Sequence, residues 1–464
     1  MCLIHDVAVV GSGFSAIALT INLLNLLPPS STIAVVGDDP GFGRGTAYRT
    51  EFYLHRLNVP AARMSVFPDA PDDFVEWLRR RGRTVTPDDF ATRGDYGLYL
   101  RDTLASLLRP RRGRAQIEFI KAKATECVRT ENGRIVFRLD NGNELAARNV
   151  VLCLGVGNAD LPLKPDRIAD EVRSRIVQNP WRLGWFSRVL RGEDVCILGS
   201  GLTMIDQVLA LRSRGHRGRI HVLSRRGLVP HAHLLRRSVP VPPELPEASR
   251  EISAILKNLR GQVREGADWR GVMDGLRPQT QALWQELSKE QRSRFLRHAL
   301  AWWNIHRHRI APEIASRFDA LTRDGTVVVH AGFLQAMEPS GEGAEIRYRQ
   351  RGSDRIASFH TDWIVNCTGM ERAGIGHSPL LQAMRARDMI AMDELGLGIR
   401  VDARSHVLAP DGQIQPGLYA AGALTAGQFW EITAVPDIRL QAQRVAEAIA
   451  ADVDLNSRRF ANAR

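Results

Sequence analysis

The chain of 464 residues is too long for a single hydrophobic core, so we expect at least two domains. Its 44% hydrophobic and 25% charged residues are ordinary for a globular protein and exclude a disordered or fibrous chain. The net charge of +12 would suit a nucleic-acid partner, but nearly all of the positive charge is arginine and no DNA- or RNA-binding motif is present, so we predict no such partner.

The lengths of the apolar runs and the spacing of the cysteines narrow the class of protein further. No apolar run approaches the roughly 18 residues of a membrane span, and we expect no signal peptide because Met1 leads straight into the first strand. The cysteines are widely spaced and form no CxxC pair: Cys2, Cys127, Cys153, Cys196 and Cys367. This pattern indicates a reducing cytoplasm and argues against a structural zinc and against dithiol reductases. We therefore predict a cytoplasmic protein without a membrane partner.

The first predicted strand, Val7–Val10, leads into a glycine fingerprint that opens a helix. In such a fingerprint the first glycine permits a tight turn, and the second lets backbone N–H groups approach a pyrophosphate at the helix N-terminus. We predict that this segment binds FAD through six residues: Gly11, Ser12, Gly13, Phe14, Ser15 and Ala16.

The second predicted strand, Thr32–Val36, ends where a FAD domain usually carries an acid for the adenosine ribose. Gly37 occupies that position, so Asp38 is the candidate ribose ligand; the alternative is that Asp38 only starts a turn. A glycine-rich loop follows from Gly41 to Tyr48, and its alternate glycines suit a backbone pressed against a flat ligand. Asn58, in a later loop, is a further candidate FAD contact. A surface loop is the alternative for both segments.

Between residues 115 and 150 the pattern predicts a β-hairpin with strands Ile117–Ile120 and Ile135–Leu139. Further on, the predicted strands Asn149–Leu154 and Trp363–Asn366 are each followed by a small residue and a glycine, as where flavoprotein chains cross between domains. Because this pair brackets a second fingerprint, we expect an NAD(P)H domain inserted between them.

The second fingerprint follows the predicted strand Val195–Leu198 in the same strand–turn–helix context. We predict that it binds NADPH or NADH through five residues: Gly199, Ser200, Gly201, Leu202 and Thr203. The next predicted strand, Arg219–Leu223, leads into Arg225 and Arg226, where an acid would bind the 2′-hydroxyl of NAD. Guanidinium groups match a 2′-phosphate, so this pair favours NADPH; a solvated basic turn is the alternative.

The stretch from about 246 to 320 is polar and helix-prone, and we predict that its tryptophans are mostly packing residues of a helical insert. His306 and His308 lie two residues apart, the wrong spacing for one helix face, so we predict no metal site. Near the C-terminus, Gly422-Ala423 replaces the Gly-Asp pair typical of flavoproteins. For Trp430 and Glu431, packing and functional roles remain equal alternatives.

These elements predict an α/β fold class with two Rossmann-like dinucleotide-binding domains and a helical insert, the FAD domain discontinuous and the NAD(P)H domain inserted in it. We expect the first part of the FAD-binding domain at residues 1–165 and the second part at 361–464. The NAD(P)H-binding domain would span 166–360, with the helical insert at about 246–320.

Short motifs carry a further likeness: Val10–Ala16, Gly43–Tyr48, Leu57–Ala61 with Met64-Ser65, Pro71–Phe74 with Trp77-Leu78, Tyr96-Gly97 with Tyr99-Leu100, and Ser224–Gly227. By these motifs the chain resembles, over essentially its whole length, a bacterial FAD/NAD(P)-binding flavoprotein monooxygenase family. That family includes a FAD-dependent urate hydroxylase and the L-aspartate N-monooxygenases.

The resemblance implies a FAD-dependent NAD(P)H monooxygenase in which reduced flavin captures O₂ as a C4a-hydroperoxide and oxidises a nucleophilic small molecule. Urate, hydroxylated to 5-hydroxyisourate in purine catabolism, is the leading substrate, because the chain lacks the extension expected of the aspartate members. The alternatives are an N-hydroxylase of an amino acid such as aspartate, a flavin reductase or oxidase without oxygen insertion, and a nucleotide-binding protein without catalysis.

The sequence indicates no catalytic residue, since no Ser–His–Asp or Cys–His constellation is evident. Arg63 and Met64, beside the Asn58 loop, are candidate substrate contacts because an anion above the flavin needs a cation nearby. The expected partners are the small-molecule substrate and O₂, and the sequence leaves a homo-oligomer open.

Overall fold

The structure is a computed structural model of the chain. It describes residues 4–39, 42–109, 113–155, 157, 159–236, 238–246, 251–369, 375–376 and 378–462. Three residues named above, Met1, Cys2 and Gly41 of the glycine-rich loop, lie outside the described residues.

The regular elements alternate between strands and helices along most of the chain. The described strands are β1 (Ile4–Val10), β2 (Thr32–Val36), β3 (Gln116–Ile120), β4 (Ala124–Arg129), β5 (Ile135–Leu139), β6 (Glu144–Leu152), β7 (Ile176–Val177), β8 (Val195–Leu198), β9 (Ile220–Ser224), β10 (Val327–Ser340), β11 (Gly343–Gln350), β12 (Ile356–Thr361), β13 (Trp363–Asn366), β14 (His406–Leu408) and β15 (Ile414–Ala420). The described α-helices are α1 (Phe14–Leu26), α2 (Gly45–Tyr48), α3 (Asp73–Arg80), α4 (Arg93–Leu108), α5 (Leu202–Ser213), α6 (Ile252–Arg264), α7 (Trp269–Leu276), α8 (Thr280–Glu286), α9 (Lys289–His298), α10 (Leu300–Arg307), α11 (Pro312–Arg323), α12 (Pro379–Ala386) and α13 (Val435–Asn462). Short 3-10 helices lie at Ala61–Arg63, Pro165–Arg167, Asp170–Arg175, Leu183–Ser187, Arg277–Gln279 and Gly422–Thr425.

The first sheet has the strand order β14-β15-β6-β1-β2-β3, and the β4–β5 hairpin joins it through β6. β1 pairs in parallel with β2 and β6, so that Val9 lies opposite both Val35 and Val151. Successive residues of these strands are buried, as expected of parallel strands covered on both faces. Because β14 and β15 come from beyond residue 400, two distant parts of the chain build this sheet.

The second sheet has the order β12-β11-β10-β9-β8-β13-β7. β9, β8, β13 and β7 are parallel, β10 begins parallel to β9, and β10, β11 and β12 continue as an antiparallel meander. All of its strands lie between residues 176 and 366, inside the gap in the first sheet's sequence. The predicted α/β class, with two Rossmann-like units, one of them inserted, is confirmed. The exact domain boundaries stay a prediction.

The predicted hairpin between residues 115 and 150 is wrong in its first strand. β3 (Gln116–Ile120) pairs in parallel with β2, and the antiparallel partners of β5 are β4 and β6. β4 escapes notice because Thr125 and Glu126 interrupt its apolar alternation. The predicted strand Asn149–Leu154 is also shifted, since β6 begins at Glu144 and ends at Leu152.

The predicted helical insert is present as a series of helices, and it packs on the C-terminal segment. Its small core contains Ile255, Trp284, Leu287 and Phe295, with Trp430 packed against it. The Trp284 and Trp430 rings stack with centroids 4.4 Å apart, which supports the predicted packing role of Trp284 and favours packing over a functional role for Trp430.

Within the described part of the chain, no helix combines the length and the apolar character needed to cross a membrane. The described residues also contain no cluster of three or more His, Cys, Asp or Glu side chains arranged to hold a metal ion.

Candidate functional site

The two glycine fingerprints lie at corresponding positions of the two sheets. Gly11 directly follows β1 and Gly199 directly follows β8. The Gly11 N–H donates to the Val36 carbonyl over 2.7 Å, and the Gly199 N–H donates to the Leu223 carbonyl over 2.8 Å. Each fingerprint therefore begins at the carboxyl edge of its sheet, where the strand order reverses and where dinucleotides bind in folds of this kind.

The first glycine of each fingerprint has no room for a side chain. The φ angle is 134° at Gly11 and 99° at Gly199, both in the region that favours glycine. A Cβ on Gly11 would lie 2.2 Å from the Cys153 carbonyl oxygen, and a Cβ on Gly199 would lie 2.2 Å from the Cys367 carbonyl oxygen. These glycines therefore make the tight turn from strand to helix.

The second glycine of each fingerprint faces open space. Gly13 and Gly201 are the N-cap residues of α1 and α5, and neither helix receives a side-chain capping hydrogen bond there. A Cβ on either glycine would meet no atom within 4 Å. Amides at an uncapped helix N-terminus are free to bind an anion, so the residues present fit a dinucleotide pyrophosphate at both places.

Two of the predicted FAD-binding residues, Phe14 and Ala16, have buried side chains that pack in the core of the first unit. Ala16 is completely buried in α1. The Phe14 ring lies 6.2 Å from the Tyr48 ring and 6.0 Å from the Tyr96 ring. Phe14 therefore holds the fingerprint helix against Tyr48 of α2 and Tyr96 of α4.

The loops around the first fingerprint close on its backbone. The Gly43 N–H donates to the Ser12 carbonyl over 2.9 Å. A Cβ on Gly45 would lie 3.2 Å from the Cα of the second fingerprint glycine, Gly13. A Cβ on Gly422 would lie 2.2 Å from Ser15 Oγ, so the C-terminal segment reaches the same helix N-terminus.

Asp38 follows the end of β2 and is exposed. Its carboxylate lies 3.2 Å from Lys123 Nζ, and both side chains are about 60% exposed (61% and 62%). Gly37 packs directly on the fingerprint, because a Cβ there would lie 2.5 Å from Ser12 Cβ. The space that an acidic side chain at position 37 would need is therefore occupied by the Ser12 side chain. Asp38 as ribose ligand stays a prediction.

In the second fingerprint, Ser200 fixes the loop that follows β9. Its hydroxyl donates to the Leu228 carbonyl and lies 2.9 Å from Ser224 Oγ. Ser224 Oγ in turn accepts from the Gly227 N–H over 3.0 Å. Leu202 and Thr203 are half-buried in the first turn of α5.

Arg225 and Arg226 lie on this loop beside the second fingerprint. Arg225 is exposed and Arg226 is half-buried, and the Arg225 carbonyl accepts a 3.3 Å hydrogen bond from Arg351 Nη1. A third guanidinium therefore stands at the same loop, which increases the positive potential where a 2′-phosphate would lie.

Asn58 lies at the meeting point of the two dinucleotide-binding units. Its carbonyl oxygen is 3.1 Å from His233 Nε2, a residue of the second unit. Arg63 ends a half-buried 3-10 turn after this loop. Met64 is only 2% exposed and belongs to the first core, so its side chain offers a substrate almost no surface in this conformation.

A buried ion pair ties the two units together. Arg93 at the start of α4 lies 3.0 Å from Asp206 on α5, and both side chains are largely buried. His55 Nε2 is 3.0 Å from the Asp206 carbonyl, and the Thr50 hydroxyl is 2.7 Å from His55 Nδ1. A cavity at this junction is lined by residues of both units, including Asn58, Arg93, Leu202, Asp206 and Ile310.

A second buried ion pair fastens the helical insert to the C-terminal segment. Glu431 accepts from Trp303 Nε1 over 2.6 Å and from Arg307 Nε over 2.7 Å, and lies 3.4 Å from His308 Nε2. Burial opposes ionisation of Glu431, but these partners outweigh it and lower the pKa of the carboxyl to about 2. Glu431 also has a φ of 64°, so its packing overcomes a backbone conformation that side chains disfavour.

The described cysteines offer no thiol chemistry. Cys127, Cys153, Cys196 and Cys367 are buried and unpaired. Burial raises the pKa of the Cys127 thiol to about 12, and raises the pKa of the other three thiols still further. A buried neutral thiol is a poor nucleophile.

Sequence reasoning missed the residues at the junction. Asp206 could have been predicted as one partner of a buried ion pair, because a carboxylate within the apolar run of α5 needs a buried partner. No sequence pattern points to His233 or Arg93, since their partners are distant in sequence and only the fold brings them together.

Two segments match known families. Residues 8–157 match a family described as FAD-NAD(P)-binding, and residues 385–436 match one described as FAD binding domain. The comparison with curated proteins found no match to this chain. The chain therefore carries FAD- and NAD(P)-binding sequence in the segments that surround the first fingerprint and Glu431.

Solved structures share the fold along nearly the whole chain. An ornithine N-hydroxylase of Kutzneria sp. 744, named with reduced FAD, NADP⁺ and L-ornithine, is 16% identical, with a TM-score of 0.68 over 97% of this chain and 100% of that chain. An L-lysine 6-monooxygenase of Pseudomonas syringae is 18% identical, with a TM-score of 0.66 over 96% and 99%. A bacillithiol disulfide reductase of Bacillus cereus is 13% identical, with a TM-score of 0.55 over 97% and 100%. These likenesses show that the chain has the two-dinucleotide flavoprotein fold.

Proposed function

We propose that this chain is a FAD- and NADPH-dependent monooxygenase that hydroxylates the nitrogen of an amine or amino acid. The observation that carries the proposal is the end-to-end likeness to the ornithine N-hydroxylase, which spans 97% of this chain and all of that one. The likeness to the disulfide reductase is weaker, with a TM-score of 0.55 against 0.68.

The residues present support a monooxygenase over a thiol reductase. The described cysteines are buried and unpaired, so they offer no pair of accessible thiols. In this proposal Gly13 and Gly201 admit the two pyrophosphates, and the insert fastened by Glu431 excludes water from the space between the units. Reduced FAD, when bound, activates O₂ and supplies the oxygen atom that the substrate nitrogen receives.

The proposed substrate class replaces urate, the substrate that the sequence favoured. The amine N-hydroxylases have the higher TM-scores, and they are named for ornithine and lysine. Three largely buried arginines of the helical insert are each paired with a carboxylate: Arg277 with Asp437, Arg307 with Glu431 and Arg309 with Asp274. Because these charges are already balanced, this cluster gives no reason to prefer an anion such as urate.

The test is product formation by the FAD-loaded enzyme under ¹⁸O₂, with NADPH and separate samples of ornithine, lysine, aspartate, cadaverine and urate. We expect one amine to give a hydroxylamine that carries a single ¹⁸O atom, with NADPH consumption matched to product. Urate loss matched to NADPH consumption would restore the urate hydroxylase. NADPH consumption that appears wholly as hydrogen peroxide with every compound would favour the oxidase alternative.

A further inference from the structure

The loop from Leu228 to His233 runs from one dinucleotide-binding unit to the other. At its start, the Leu228 carbonyl accepts a hydrogen bond from Ser200 of the second fingerprint. At its end, His233 Nε2 lies 3.1 Å from the carbonyl oxygen of Asn58 in the first unit. The loop therefore joins the predicted NADPH cradle to the predicted FAD contact through six residues.

The helical insert holds the middle of this loop in place. The Ala232 carbonyl accepts hydrogen bonds from Arg270 Nε and Nη2, each over 3.3 Å. The His233 N–H donates to the Ile310 carbonyl over 2.9 Å, and the Ile310 N–H donates to the His231 carbonyl over 2.9 Å. Because the backbone is fixed on both sides, the His233 ring has little freedom to leave Asn58.

The partner of His233 determines its tautomer. A carbonyl oxygen only accepts hydrogen bonds, so Nε2 must carry the proton. Burial lowers the pKa of His233 to about 4, with Arg309 adding to the effect, so the ring is neutral at neutral pH. The neutral His233 ring therefore donates from Nε2 to the Asn58 carbonyl at neutral pH.

The Asn58 segment has its own supports in the first unit. The Leu57 N–H donates to the Ala91 carbonyl and the Ala61 N–H donates to the Asp89 carbonyl, each over 2.9 Å. Between these two hydrogen bonds, the Asn58 carbonyl is held by a residue of the other unit. The backbone conformation at Asn58 thus depends on the position of the second unit relative to the first.

We infer that His233 is a positioning residue, through which the NADPH-binding unit holds the Asn58 segment in place for hydride transfer to FAD. His233 acts through the Asn58 backbone, because its Nε2–H group donates the hydrogen bond to the Asn58 carbonyl. The inference rests on the two-cofactor part of the proposed function and needs no assumption about the substrate.

The test compares His233→Gln with His233→Asn in the full-length, FAD-loaded protein. The glutamine Nε2 lies as many bonds from Cβ as the histidine Nε2 and keeps a donor for Asn58, whereas the asparagine amide is one bond too short. His231→Gln is the matched control, since the His231 ring contacts Trp269 and His306 of the second unit.

The first readout is hydrogen–deuterium exchange of the amides of Leu57, Asn58, Val59 and Ala61, which requires no turnover. In His233→Asn we expect exchange there to rise about 10-fold, the effect of losing one hydrogen bond, and in His233→Gln to stay within about 3-fold of the natural chain. The second readout is FAD reduction by NADPH without oxygen. We expect this rate to fall about 10-fold in His233→Asn alone, while the NADP⁺ dissociation constant stays unchanged.

Equal exchange in the natural chain and in both variants would overturn the inference, because His233 would then not hold the Asn58 segment. Equal losses in both variants would also overturn it, because the ring or Nδ1 would then be the required feature. Should NADPH fail to reduce the natural protein, the proposed function fails, and the exchange measurement still decides the role of His233.

Discussion

The two dinucleotide-binding units of this chain have the same backbone geometry at the fingerprint and differ at the position that we predict to select the nucleotide. The fingerprint glycines agree closely, since Gly13 and Gly201 both have a φ of −86° and both face open space. At the end of the next strand they diverge. Gly37 packs under Ser12 in the first unit, whereas Ser224 binds Ser200 in the second.

This difference teaches which part of the motif is general and which is specific. The turn and the helix N-terminus serve any pyrophosphate, so the same geometry recurs in both units. In folds of this kind the residues after the second strand meet the adenosine ribose, so we expect them to differ between the two units. In the first unit an acid, Asp38, stands there with Lys123, and in the second unit the arginines Arg225 and Arg226 stand there.

The largest predicted effect tests the shared turn. Gly11→Ala would place a Cβ 2.2 Å from a carbonyl oxygen at a φ of 134°, and we expect the free energy of unfolding to fall by about 3 kcal/mol with loss of bound FAD. Gly13→Ala is the matched control, because its Cβ meets no atom within 4 Å. It should keep the melting temperature and only weaken FAD binding, by about 10- to 100-fold. Equal melting temperatures for the two variants would contradict this.

The second prediction concerns acid stability of the second sheet. His221 Nδ1 lies 3.0 Å from His330 Nε2, and burial, with His330 adding to it, lowers the pKa of His221 from 6.5 to about 4. The folded state thus binds fewer protons than the unfolded chain between these values, so stability is full above about pH 6.5 and falls as the pH drops toward 4. The loss should reach about 3 kcal/mol.

His221→Gln should flatten this pH dependence in chemical unfolding measured from pH 7 to 4.5. An exposed histidine, His298, provides the control as His298→Gln. An unchanged slope in His221→Gln would show that acid destabilises the chain elsewhere. In the first sheet His5 is also buried with a lowered pKa, but Glu118 and Asp6 oppose that lowering, so we expect a smaller effect there.

The third prediction tests the nucleotide-selecting loop of the second unit. Replacing Arg225 and Arg226 together by alanine should raise the KM for NADPH by about 10- to 100-fold, because charged hydrogen bonds to a 2′-phosphate are lost. The KM for NADH should stay nearly constant. Steady-state kinetics with both nucleotides decide the matter, and equal losses for both would mean that the arginines do not contact a 2′-phosphate.

The smallest effect is expected at the corresponding place in the first unit. Asp38→Ala should weaken FAD binding by a few-fold and leave the melting temperature unchanged, since its ion pair with Lys123 is exposed. FAD titration of the protein after removal of its flavin measures this. Lys123→Ala removes the same ion pair, so an equal loss of FAD affinity in that variant would assign the effect to the pair and not to a ribose contact.

The local motifs could be predicted because their chemistry lies within a few residues. Gly11 and Gly199 each serve a turn next to a buried strand, and both turns occur where the sequence placed them. The strand β4 could not be predicted, because Thr125 and Glu126 at the sheet edge break the apolar alternation. Met64 was a candidate substrate contact because it lies beside the Asn58 loop in sequence, and only the fold shows that it is buried in the core.

By itself the sequence determined the two dinucleotide cradles, because the turn, the helix N-terminus and the missing Cβ are local properties of a few consecutive residues. Only the tertiary structure decided how the cradles meet. The contacts of Arg93 with Asp206, of His233 with Asn58 and of Arg307 with Glu431 join residues more than a hundred positions apart. No periodicity encodes such pairs, since burial of each charge or ring depends on the packing of two sheets and an insert around it.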